Sequence, residues 1–246
     1  MNTLTPEIKK ALLAKLKLVV NSEGERIYLF GPVRMPITLA DSIYSFQWYS
    51  WLKNPELPED PEQLLETLVR LPLAELQQSS VLTYGDFQGA EKAKVRIHSI
   101  CHTGDIFGSL RCDCGSQLHS AIEQIANFGA GAIIYAANHE GRGIGLFNKA
   151  LTYELQDLGF DTAEANLRLG HNLDDRSYKD VATVLTTLRS KPIILLSNNP
   201  LKSESLRKHG VGVTRVETLL GTVSDFNRAY LQSKKQRFNH TLESLV

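Results

Sequence analysis

Cysteine is scarce in this chain of 246 residues: there are three, and an odd number cannot all pair within one polypeptide. No basic segment followed by an apolar stretch opens the sequence, so the expectation is a reducing, cytoplasmic setting, with disulfide chemistry the lesser reading. Charge excess is absent too. The 27 lysines and arginines balance 27 aspartates and glutamates, which leaves no global field for a polyanion and argues against general nucleic-acid binding. Any anionic ligand must be held by a local site. Long hydrophobic runs are also missing: the longest, residues 132–137 and 193–196, have the length of buried strands and fall short of a membrane span. The expectation is a soluble protein that engages no membrane.

The three cysteines are not scattered. Cys101, Cys112 and Cys114 follow a C-x10-C-x-C pattern, beside polar residues and glycine instead of within apolar runs. Three soft ligands within reach of one ion suit zinc, and three protein ligands leave a tetrahedral position for water, the open arrangement of catalytic sites. The competing reading is a structural zinc closed by one of the nearby histidines, His98, His102 or His119, and spacing alone leaves the two roles open. Zinc-bound water deprotonates near neutral pH, so the reaction class implied is hydrolysis.

Around this stretch the pattern reads as an α/β protein with a mixed sheet flanked by helices. A helix is expected over residues 5–18, a short strand at 27–30, an aromatic stretch at 41–52, a turn at 54–60 and a helix over 61–69. Trp48 and Trp51 read as packing, because no basic residues interleave with them as a base-stacking platform requires. A soft boundary near residue 75 separates an N-terminal extension, 1–75, from a catalytic portion, 76–226, followed by a polar tail, 227–246, expected to fray or make a subunit contact. Within the catalytic portion, strands at 81–84, 95–99, 132–137, 193–196 and 211–216 alternate with helices starting near 115, 146, 180 and 200. The helix after Gly145 aligns Phe147, Leu151, Leu155 and Leu158 on one side, while 161–176 reads as a polar, irregular run.

Two loops carry further chemistry. Glu140-Gly141-Arg142-Gly143-Ile144-Gly145 opens a helix, so its backbone amides can approach an anion while Arg142 supplies charge. Lys202, just after Ser197-Asn198-Asn199-Pro200, is a second candidate phosphate contact. Asp174-Asp175-Arg176 by itself reads as a surface salt-bridge patch. These motifs alone support a zinc-dependent hydrolase or a nucleotide-binding zinc protein.

Read together, Arg96-Ile97-His98-Ser99, Cys101-x-Thr103-Gly104-Asp105, Ser109-Leu110-Arg111-Cys112-Asp113-Cys114-Gly115, Gln117, Glu140 to Leu146, Asn148-Lys149, Tyr153, Gln156-Asp157, Asp161-Thr162, Glu164, Asn166 and Asn198-Asn199-Pro200 resemble GTP cyclohydrolase II, in order from about residue 81 to 216. The resemblance implies opening of the imidazole ring of GTP, or of a related purine nucleotide, with release of formate and pyrophosphate to give 2,5-diamino-6-(5-phosphoribosylamino)pyrimidin-4-one, on the way to riboflavin. It implies zinc on Cys101, Cys112 and Cys114, Mg²⁺ with the triphosphate, and a homodimer. By the same resemblance Tyr153, Asp174 and Arg176 are catalytic, Arg176 either as nucleophile toward the α-phosphate or as its electrostatic stabiliser. Substrate contacts fall on Arg96, Ile97, His98, Ser99, Ile100, Gln117, Glu140, Gly141, Arg142, Thr162, Ser197 and Lys202. This chain departs from the family pattern at Ile100, where an acid is usual, at Asn138-His139 in place of Arg-Gln, and at Ser197, Leu201 and 215–217. The departures leave a paralogue that acts on another purine nucleotide or stops at an intermediate as the alternative, beside a non-catalytic nucleotide-binding zinc protein.

Overall fold

The structure, a computed structural model, describes residues 4–21, 23–39, 41–238 and 240–241. Its N-terminal part comprises α1 (Pro6–Leu13), β1 (Leu16–Val20), β2 (Arg26–Leu39), β3 (Ser42–Lys53) and α2 (Pro61–Leu68). Next come β4 (Ser79–Tyr84), β5 (Lys94–Ser99), α3 (His102–Asp105), α4 (Cys114–Phe128), β6 (Gly131–Ala136), a 3-10 segment (Ala137–Arg142) and α5 (Gly145–Asp157). The remainder is α6 (Thr162–Arg168), α7 (Lys179–Leu188), β7 (Ile193–Leu196), α8 (Pro200–Lys208), β8 (Val213–Glu217) and α9 (Arg228–Phe238).

The strands form one sheet in the order β1-β2-β3-β4-β6-β5-β7-β8. Pairing is antiparallel from β1 across to β6 and parallel among β6, β5, β7 and β8, so the sheet is mixed, as the alternating pattern predicts. Parallel strands need cover on both faces, and their sequences are apolar enough to receive it. Val95, Ile97, Ile134 and Leu195 pack with Val181, Val184 and Leu185 of α7 on one face. Ile133 and Leu196 pack with Ala121, Ile122 and Ile125 of α4 on the other. Because side chains alternate along a strand, Arg96 and His98 fall on the α4 face, just short of the carboxyl end of β5.

Several local expectations change. The helix over 5–18 stops at Leu13, and Leu16–Val20 instead pairs with β2, where Leu16 and Leu18 pack with Tyr28 and Leu52. Ile8, Ala11, Leu12 and Leu16 follow a helical period while Leu16 and Leu18 alternate, and the strand edge offered by β2 decides between them. The short strand at 27–30 extends to Leu39 through a register shift between Phe30 and Val33. Beyond that shift β2 pairs only with β3, so Pro36 sits on an edge, where its missing N–H interrupts no ladder. The supposedly irregular run after Asp161 begins with α6, capped by Asp161 Oδ1 accepting from Glu164 N at 2.8 Å. The first part of the polar tail is helical: Arg228–Phe238 forms α9, buries Leu231 completely and bonds Arg237 to Asp161 at 3.0 Å, while residues 242–246 lie outside the described residues. The N-terminal residues up to about 75 enter the same sheet, since β3 pairs with β4.

Candidate active site

The parallel strands β5, β6 and β7 end side by side, and the loops that leave their carboxyl ends build one cleft of about 1090 Å³, the usual ligand position in sheets of this kind. The first loop holds Cys101. Asp105 fastens it: its carboxylate accepts from Cys101 N at 2.9 Å, from Tyr135 Oη at 2.9 Å and faces His98 Nε2 at 3.0 Å. His98, stacked on Tyr135, is thus tied to a carboxylate and is not part of the thiol group. Gly104 lets the loop close, since a Cβ there would lie 2.8 Å from Cys112 Sγ and 3.0 Å from Cys101 Sγ.

Cys112 and Cys114 stand at the start of α4, where the helix dipole favours thiolate. The sulfurs of Cys101, Cys112 and Cys114 all lie within 4.8 Å of one another, and among the described residues no histidine or carboxylate joins the group. Hydrogen bonds from the neighbouring thiols and the nearby Lys149 ammonium pull the Cys101 thiol far below its ordinary range, while the hydrogen bond to Cys101, burial and the negative charge on Cys101 push the Cys112 thiol up to about 11. A bound divalent cation would favour the thiolate form of all three. The donor set and spacing fit a soft or borderline metal ion. Lys149 Nζ reaches Cys101 Sγ at 3.1 Å and Glu140 Oε1 at 2.7 Å. Glu140 in turn accepts from His102 N at 2.7 Å, which joins the glycine-rich loop to the cysteine loop.

That glycine-rich loop reverses through left-handed backbone at Gly141, Arg142 and Gly143, with Arg142 at φ 66°. A non-glycine residue there is held against its steric preference, and the Arg142 carbonyl is fixed by Asp175 N at 3.0 Å. The bond brings 174–176 to the cleft. Arg176 is clamped by Asp174 through Nε at 2.8 Å and Nη2 at 2.5 Å, and its Nη1 donates to Ser99 Oγ at 3.3 Å. Burial works against the charge on Arg176, but Asp174 outweighs it and raises the guanidinium further; Asp174 is held below the usual carboxylate range by the same pairing. His139 is buried between Ser99 Oγ, 3.2 Å from Nδ1, and Ser177 O, 2.8 Å from Nε2. Burial, with Arg176 and Lys202 nearby, pushes it down to about 4, so the neutral ring donates from Nε2 and accepts at Nδ1.

The third loop follows β7. Lys202 is buried, donates to Ile97 O at 2.9 Å, and is driven well below its ordinary range by burial and by Arg96 and Arg176. Arg96 donates to Leu196 O at 3.0 Å and to Gln117 Oε1 at 2.6 Å, while its buried Nε has no partner among the described residues. A buried donor left open at a cleft is a place for an acceptor on a ligand. On the opposite wall, Tyr153 Oη lies 3.2 Å from Thr103 Oγ1 under the Arg111 guanidinium, 4.8 Å from its ring.

Most of the residues singled out in the sequence line this cleft, including Ile100, Gly141, Thr162 and Ser197. Two do not. The Ile97 side chain is in the core beneath, with only its carbonyl turned to Lys202, and Asp174 stands behind Arg176. Sequence reasoning missed Lys149, although it lies within a quoted motif, and the locking role of Asp105. It also missed Tyr230, Lys234 and His240, which line the cleft from the C-terminal segment and carry no local signal.

The comparisons agree with this geometry. The GTP cyclohydrolase II family model matches residues 73–218. The chain is 46% identical over 164 residues to the GTP cyclohydrolase-2 of Streptomyces coelicolor, covering 67% of this chain and 74% of that protein. It is 46% identical over 158 residues to the riboflavin biosynthesis protein RibBA of Phocaeicola vulgatus, covering 64% of this chain and 39% of that one. Against the GTP cyclohydrolase-2 of Archaeoglobus fulgidus it is 49% identical over 148 residues, 60% of this chain and 39% of the other. The chain thus spans well under half the length of two of these relatives, the matched part being the one that carries the thiol cluster and the surrounding cleft, and it belongs to the GTP cyclohydrolase II family.

Proposed function

We propose that this protein catalyses zinc-dependent hydrolytic opening of the guanine imidazole ring of GTP, releasing formate and pyrophosphate. The observation that carries the reading is one cleft that joins a three-thiol cluster, free of histidine among the described residues, to the guanidinium groups of Arg96 and Arg176 and the Lys202 amine. Cys101, Cys112 and Cys114 would hold the metal, which when bound supplies an activated water at neutral pH. The other steps belong to the chain. Lys149 balances the thiolate charge and Glu140 ties the two loops together. Tyr153 offers a hydroxyl, already hydrogen-bonded to Thr103, for positioning the purine. Arg96 and Lys202 face the anionic part of the nucleotide, whose triphosphate would carry Mg²⁺. The Asp174 clamp keeps Arg176 protonated, which supports stabilisation of charge at the α-phosphate over nucleophilic attack by a guanidinium.

We further infer a homodimer acting in a reducing, cytoplasmic setting. Phe147 and Leu151 of α5 and Leu158 at its C-cap are exposed, Phe147 at 80%, as are Phe107 and Leu110 on the loop before α4. An apolar surface of this kind suits a second copy better than water. No helix among the described residues is long and apolar enough to cross a membrane.

The test is incubation of zinc-loaded protein with GTP and Mg²⁺, with formate, pyrophosphate and the pyrimidine product measured separately. All three are expected. The apolar Ile100 in the cleft wall favours one second reading, a paralogue with altered nucleotide recognition, and formate without pyrophosphate would identify it. Neither product from folded, zinc-replete protein would overturn the GTP reading.

A further inference from the structure

The family match ends at residue 218, yet the cleft does not. After β8 the chain crosses the start of α4, and each step of the crossing is fixed. Asn198 brackets Leu219, donating to its carbonyl at 2.6 Å and accepting from its N–H at 2.7 Å. Thr222 N donates to Ser116 Oγ at 2.9 Å, and Gly221 lies so close to Asp113 that a Cβ would meet its Cβ at 2.7 Å. Helix α9 then runs along the mouth of the cleft and is held on its far side by Arg237 on Asp161, and Thr241 N closes the path on Asn198 O at 3.0 Å. The described residues of 219–241 therefore form a strap anchored at α4, at α6 and at the loop after β7.

Its inward contact is a buried ion pair. Lys234 Nζ meets Asp113 Oδ1 at 2.7 Å, with side-chain exposures of 10% and 2%. The other Asp113 oxygen accepts from Gln117 Nε2 at 2.6 Å. This contact settles which end of the Gln117 amide faces which neighbour: nitrogen toward Asp113, oxygen toward Arg96 Nη2 at 2.6 Å. With Nη1 on Leu196 O, both terminal nitrogens of Arg96 are engaged, and Nε is the nitrogen without a partner among the described residues. If Lys234 is removed, Asp113 becomes an uncompensated buried charge that competes for Gln117 and Arg96 directly.

We propose that the C-terminal strap is part of the nucleotide site, and that Lys234 is a positioning residue which, through Asp113 and Gln117, presents Arg96 to the anionic portion of a purine nucleoside triphosphate. Tyr230, whose ring lies 4.3 Å from Lys234 Nζ, completes the wall beside it. The strap meets the site through Asp113, which lies between Cys112 and Cys114, whereas the hydrogen bonds that hold Cys101 run to Asp105 and Lys149. The effect of the strap is therefore expected on nucleotide binding, and zinc content is the readout that separates it from an effect on the thiols.

The inference rests on the GTP reading above, and its test separates the two. Zinc-loaded wild type, Lys234→Met, Lys234→Arg and Lys234→Met/Asp113→Asn are compared for zinc content, for KM and kcat with GTP, and for binding of the non-hydrolysable analogue α,β-methylene-GTP. Lys234→Met is expected to raise KM and the analogue's Kd about tenfold with kcat and zinc little changed, which at constant chemistry is a loss of binding alone. The double variant, which removes both charges, and Lys234→Arg should each recover most of that loss. Hydrogen exchange of 228–238 in the wild type should slow when the analogue is added, a readout that does not depend on any variant folding. Analogue binding by Lys234→Met within twofold of wild type, loss of zinc together with binding, or exchange in α9 indifferent to the analogue would each overturn the assignment while the GTP reading stands. Wild type that neither binds the analogue nor turns over GTP would bring down both.

Discussion

At the scale of single residues, the metal and the chemistry fall, under the proposed function, to different groups, which can be removed separately. Cys112→Ala takes away one of three ligands and is expected to abolish both zinc, read by atomic absorption, and activity. Tyr153→Phe leaves the thiols in place and should keep one zinc per chain while lowering turnover by about tenfold or more; full activity would remove Tyr153 from the chemistry. His139 gives a pH-dependent prediction. Its folded value, about 4, lies below that of a free histidine near 6.5, so the unfolded chain binds the extra proton between those values. Stability therefore falls as pH drops from about 6.5 toward 4, by at most about 3 kcal/mol from this residue. Urea unfolding at pH 7 and pH 5 should show a smaller difference in His139→Gln, which can keep both hydrogen bonds without a titrating ring. The cysteine spacing and the glycine loop could be read from the chain because their chemistry is local. The partners of Lys149, Asp105 and His139 could not, because each is met across two or more elements.

Among the elements, those with local signals formed where expected and those with competing signals did not. Asp60-Pro61 and Asp161-Thr162 both start helices through an aspartate cap, but only the first was legible, since Pro61 marks the first turn and the second lies inside a polar run. Replacing either aspartate by alanine tests the difference. Asp60→Ala should cost about 1 kcal/mol of stability with KM unchanged. Asp161→Ala should cost a similar amount for its cap and in addition frees Arg237, so the strap loosens and KM for GTP rises. Equal KM in the two variants would show that the Arg237 anchor is idle. Helix α5 carries its apolar side chains outward, the reverse of what an apolar stripe in one chain suggests, because periodicity reports that residues share a side but not what covers it.

For the whole molecule, the continuous sheet joins the N-terminal strands to the matched region, with Lys53 bonded to Asp180 at 3.1 Å and Lys179 to Glu25 at 2.7 Å across the junction. Zero net charge conceals a cleft in which cations converge at the ends of three parallel strands. The outer apolar surface of α5 gives the assembly prediction. Phe147→Glu should convert a dimer into a monomer by light scattering, with the isolated chain still folded because that side chain is 80% exposed. A monomeric wild type would remove the dimer reading.

The sequence by itself determined the α/β alternation, the grouping of the three thiols and the family, because periodicity, soft-donor spacing and motif order are properties of neighbouring residues. Only the tertiary structure decided that Leu16–Val20 is a strand, that Arg176 is locked on Asp174 beside Ser99, and that a tail with no motif of its own seats Lys234 against Asp113. Each depends on a partner distant in the chain, and an ion pair between residues 113 and 234 leaves no trace in the local pattern of either.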